Sequence, residues 1–94
     1  MGVFPPVNVD EFINACLEEL SDSMPMLPLV IKKQAKDLGL SGPIPPAKIE
    51  LLIKKTVEAI NYFSGKEDAI RLRRSMKKLL KKMAPEYFRT KYMF

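Results

Sequence analysis

Histidine and tryptophan are absent from this 94-residue chain, and cysteine occurs once. Without histidine, the commonest general base, metal ligand and pH switch near neutrality is missing. A lone Cys16 excludes an internal disulfide. Helical spacing places it on an apolar face, where a buried thiol serves as a small hydrophobe rather than a nucleophile. Long apolar runs are lacking too: none exceeds three residues, as in Leu29-Val30-Ile31, against the roughly 20 needed to span a bilayer. Met1-Gly2-Val3-Phe4-Pro5-Pro6 has neither the charged start of a secretory signal nor the Ser/Thr of a myristoylation signal. A cytoplasmic protein is the expectation.

Strand-like alternation, hairpin dipeptides and internal repeats are also missing. No phosphate-cradling glycine loop can therefore follow a strand. Glu11, Glu18, Glu19 and Asp22 share one polar helix face, with no second helix offering matching acids or histidine for a bundle metal site. No cofactor, metal or catalytic constellation is expected, and an enzyme is the least favoured class.

What is present is helical periodicity punctuated by glycine and proline. A hydrophobic content of 47% suits one globular domain, residues 1–94, with residues 1–8 as an extended lead and 85–94 as a tail. Asn8 with Glu11 fits a capping box ahead of Val9, Phe12, Ile13, Cys16, Leu17 and Leu20, ending near Ser21. Ser23 and Pro25 are candidate openers of a second helix, delayed if Pro28 takes the first turn. Its stripe is Leu27, Val30, Ile31, Ala35 and Leu38, and Gly39-Leu40 reads as a Schellman ending. A third helix starts near Pro46 or Ala47 and lines Ile49, Leu52, Ile53, Val57, Ile60 and Phe63 along one face. Leu51 and Tyr62 fall on its other face, which points to burial on both sides or to an interface. Ser64 with Glu67 fits a second capping box before a fourth helix, whose inward residues are Ala69, Leu72, Met76, Leu79, Leu80 and Met83. Pro85 ends that helix or starts a short fifth. The fold class is all-α, four helices with a short fifth possible.

Charge is divided unevenly. Up to Ile44 there are three lysines against six acids; from Pro45 there are thirteen Lys/Arg against five acids, within a net charge of +5. Arg71, Arg74, Lys78, Lys81 and Lys82 cluster opposite the fourth helix's apolar stripe over about 16 Å. Arg73 and Lys77 flank the stripe. Phosphates would relieve the repulsion among these cations and release counterions; a solvated face that keeps the protein soluble is the alternative.

The last eight residues hold half of the chain's eight aromatics, interleaved with Arg89 and Lys91. Such a mixture suits stacking on bases or insertion at a membrane interface, or else Tyr87, Phe88 and Tyr92 dock on the core. Met24 and Met26 sit in a proline-constrained loop, suited to an adaptable interface or to filling a core gap. Lys33–Ser41 resembles the second helix and turn of a helix-turn-helix motif, with Ala35 and Gly39 at the small and turn positions. The resemblance implies a DNA-reading helix next. Gly42-Pro43-Ile44-Pro45-Pro46 instead stretches the turn, and Ala47-Lys48-Ile49-Glu50 are poor base readers.

Two functions are thus expected. One is a non-catalytic DNA- or RNA-binding protein using Arg71, Arg74, Lys78, Lys81, Lys82, Arg89 and Lys91. The other is a subunit or adaptor, or a self-associating protein, using Leu51, Tyr62, Met24, Met26, Tyr87 and Tyr92.

Overall fold

Asn8 opens the first helix, α1 (Val9–Leu20), by accepting a 3.1 Å hydrogen bond from the Glu11 amide; Asp10 and Glu11 meet the positive end of the helix dipole. The computed structural model describes the backbone of residues 4–92 and the side chains of residues 4–89. Helix α2 (Leu27–Asp37) starts late, with Pro28 in its first turn, where a missing N–H breaks no intrahelical bond. Ser23 does not open it: its hydroxyl donates to the Leu20 carbonyl at 3.2 Å and belongs to the end of α1. Helix α2 closes as a Schellman motif. Gly39 takes φ +69°, its amide donates to Lys36, and the Leu40 amide donates to Ala35 at 2.9 Å.

The sequence pattern contains no strand, yet Val7–Asn8 (β1) pairs antiparallel with Pro43–Ile44 (β2), Val7 opposite Ile44. Two residues per strand are too few to show alternation. Both Val7 and Ile44 are buried, so the bridge pins the N-terminal lead and the α2–α3 connection over one end of the core. It also separates the helix-turn-helix-like segment from the helix that follows, which no short DNA-reading turn does.

Helix α3 (Pro46–Ser64) and helix α4 (Lys66–Met83) form a hairpin joined by Gly65 alone. Gly65 holds φ +96°, which L side chains rarely adopt, and caps both helices at once. The expected Ser64–Glu67 capping box does not form, because Ser64 is still helical and no side chain caps α4.

The core is built from matching stripes: Phe12, Cys16 and Leu20 from α1, Leu27 and Ile31 from α2, Ile49, Leu52 and Ile60 from α3, Leu72, Met76 and Leu80 from α4. Each such large side chain contributes about 1.5–3 kcal/mol on leaving water. Met24 is buried as well and fills a gap where α1 turns into α2, so it offers nothing to a partner. Thr56 is the buried polar residue of α3. Its hydroxyl has no hydrogen-bond partner among the described residues, so it packs as a valine would while leaving a polar oxygen dry.

Helix α5 (Pro85–Tyr92) folds back on this core. Phe88 is buried, and Tyr87 meets Phe4 and Phe88 edge-on while its hydroxyl donates to the Glu50 carboxylate. At the other end the α3–α4 hairpin outruns its cover. Its helices have 19 and 18 residues, against 12 and 11 in α1 and α2. Residues 61–67 are consequently all exposed. Phe63, expected inward by spacing, is 59% exposed for this reason. Met83, also expected inward, lies exposed in the last turn of α4.

Candidate nucleic-acid interface

Helix α4 has two faces by construction. Ala69, Leu72, Met76 and Leu80 recur at three- and four-residue spacing and are buried, which turns the intervening cations outward. Arg71, Arg74, Lys78, Lys81 and Lys82 are all exposed, as the sequence leads one to expect. Arg73 and Lys66 are exposed too, and Lys77 is half-buried. Lys66 opens the helix beside Gly65 and, seven residues before Arg73, falls on the same flank as Arg73 rather than on the crest.

Helix α4 packs against both α1 and α3, and a groove runs along each flank. The α1-side groove, about 520 Å³, is lined by Arg71, Arg74 and Lys78 together with Ile70, Ser75, Glu67 and Glu19. The α3-side groove, about 540 Å³, has Arg73 and Lys77 facing Glu50, Leu51, Lys54, Val57 and Glu58. The crest of α4 is therefore a cationic ridge with carboxylates on both far walls. Of its cations, Arg71 is held by Asp68 at 3.0 Å, an exposed pair of small worth.

The remaining residues do not converge on this ridge. Arg89 is exposed on α5, and the side chains of Lys91 and Tyr92 lie outside the described residues. Leu51 is half-buried in the wall of the α3-side groove, whereas Tyr62, about 16 Å further along α3, is 85% exposed. Burial of Tyr62 inside the domain, one of the two outcomes its face implied, does not occur. Met26 is exposed at the start of α2, and so is Leu29, which lies outside the α2 stripe of Leu27, Val30, Ile31, Ala35 and Leu38. Tyr87 is taken up by packing and by Glu50. Met24 and Tyr87 are thus core and docking residues rather than a free surface.

Cys16 is fully buried, and desolvation, with the Glu19 charge second, pushes its thiol up to about 12 from 9.0. It has no access to a substrate. Among the described residues, no group of three His, Cys, Asp or Glu could hold a metal ion, and no helix is long and apolar enough to cross a membrane. No protein-family model, curated protein or solved structure matches the chain.

Proposed function

We propose that this is a small, non-catalytic nucleic-acid-binding domain that grips phosphate backbones with the outer face of α4. The observation that carries the reading is the ridge itself: five exposed Lys/Arg side chains on the outer face of one helix, at Arg71, Arg74, Lys78, Lys81 and Lys82, with Lys66 and Arg73 exposed on its flank. Like charges at neighbouring helical positions repel by a few tenths of a kcal/mol per pair, and a polyanion converts that repulsion into attraction. Glu19 and Glu67 on one flank, and Glu50 and Glu58 on the other, repel phosphates. They would confine a strand to the crest. The contacts available are to phosphate rather than to base edges, so binding should be largely independent of sequence.

A helical adaptor is the second reading. It is favoured by Leu29 and Met26, exposed together one turn apart at the start of α2, which would suit an apolar patch on a protein partner.

Fluorescence anisotropy with duplex DNA, single-stranded DNA and structured RNA across a salt series separates the two. Phosphate gripping predicts a log–log salt slope of about −3 to −5 on duplex, for four or five contacts at −0.9 each. Replacing Arg74, Lys78 and Lys82 with glutamine should flatten that slope by about 3 and leave the helical signal intact. No binding at low salt would remove this reading and leave the adaptor.

A further inference from the structure

We infer that Tyr62 and Phe63 form a base-stacking platform at the tip of the α3–α4 hairpin, so that the preferred ligand is a nucleic-acid strand with unpaired bases. The inference rests on the phosphate-binding reading of α4 and names the ligand class for it. Two adjacent aromatic side chains, 85% and 59% exposed, stand in the last turn of α3, beyond the cover of α1 and α2. Folding does not use them: residues 61–67 are all exposed, and the Gly65 connection needs only its glycine. The rings hold each other edge to face, with centroids 5.4 Å apart and planes at 84°. That contact restrains both side chains before any ligand arrives, while leaving ring surface open to solvent.

Charge selects the occupant. Lys66, three residues beyond Phe63, is an exposed cation in the first turn of α4 next to the tip, and Arg71, the first cation of the outer face, follows within about 8 Å along the helix axis. A strand whose phosphates lie on the ridge brings its next nucleotides to the aromatic tip. A duplex keeps its base faces stacked inside and cannot use the rings; an unpaired strand can, because every base offers a π-face. Ile70, exposed at the edge of the α1-side groove, adds apolar surface between the tip and the arginines.

The test uses the full chain and three probes of about 15 nucleotides: an oligothymidylate strand, an abasic strand of equal phosphate count, and a duplex, a length within the range single-strand sites cover. The oligothymidylate should bind about tenfold more tightly than the abasic strand, since stacking adds to the phosphate contacts. Replacing Tyr62→Ala with Phe63→Ala should abolish that ratio and leave duplex affinity unchanged. The exchange Tyr62→Phe should keep the ratio, because phenylalanine offers a base the same π-face. Equal binding of intact and abasic strands, or a ratio that survives the double alanine change, overturns the stacking role and leaves phosphate gripping standing. So does loss of a dimer, read by sedimentation, as the double variant's sole effect; the tip is then a self-association surface. No binding of any probe at low salt overturns phosphate gripping and stacking together.

Discussion

Helices α1 and α4 pack side by side and share one inward spacing, while acids stand outward on the first and cations on the second. Phe12, Cys16 and Leu20 point inward on α1; Leu72, Met76 and Leu80 do so on α4, at the same spacing. Outward, Glu11 and Glu18 on α1 and Asp22 in the turn just after it match Arg71, Lys78 and Lys82 in spacing, and all six are exposed. The fold could have set these charges against each other, and it does not. Among the described residues no ion pair joins α1 to α4: Lys33–Asp37, Lys55–Glu58 and Arg71–Asp68 each lie within one helix. The inner faces are near-equivalent packing surfaces. The outer faces are where the two helices differ, so a partner is to be sought there.

The largest effect should come from within α4. Leu80→Ala removes a fully buried side chain and should cost about 2–5 kcal/mol, read by denaturant unfolding. Lys78→Gln, two residues away and exposed, should leave the midpoint unchanged within error. A comparable loss from Lys78→Gln would mean that the ridge stabilises the fold, and the division between inner and outer faces would fail.

An effect of intermediate size tests the inner face of α1. Burial holds the Cys16 thiol protonated up to about 12, while in the unfolded chain it ionises near 9.0. Between those values the native state binds more protons than the unfolded state, so stability falls as pH rises. Below pH 9 the contribution is fully present. The slope attributable to this thiol approaches about 1.4 kcal/mol per pH unit above the unfolded value. Other groups titrate in that range, so the measurement is the difference between the wild type and Cys16→Ala, followed from pH 8 to 11. Parallel curves would show that the thiol ionises as readily in the fold as outside it.

The helices and their inner stripes were legible because periodicity is a local property: Asn8, Pro28, Gly39 and Pro46 act where they stand. What was not legible depends on relative lengths and on chain crossings. Phe63 obeys the stripe and still lies outside, because α3 is longer than the helices that cover it. Thr56 reads as polar and is buried, because it falls at inward spacing between Leu52 and Ile60 and its side chain has the shape of valine. The β1–β2 bridge joins segments about 36 residues apart and has no signature in either. The ridge was legible in charge alone. Its flanking grooves, and the acids in their far walls, arise only when α1 and α3 close on α4.

The smallest effect sharpens the comparison most, because it uses two adjacent acids of α1. Glu19 lines the groove that holds Arg71, Arg74 and Lys78, whereas Glu18 does not. Both are exposed glutamates in the same helix, so Glu18→Gln and Glu19→Gln change net charge and helix propensity equally. If α1 affects a bound polyanion only through net charge, the two variants gain affinity alike. If the groove wall matters, Glu19→Gln gains more, by about twofold for one exposed charge at short range. Screening separates the two cases further. At 0.15 M salt the Debye length is about 8 Å, so the share due to net charge fades while the groove-wall share persists. Anisotropy titrations of both variants at low and physiological salt decide it. Equal gains at both salts would show that the ridge works without its flanks, and that the acids of α1 are bystanders to binding.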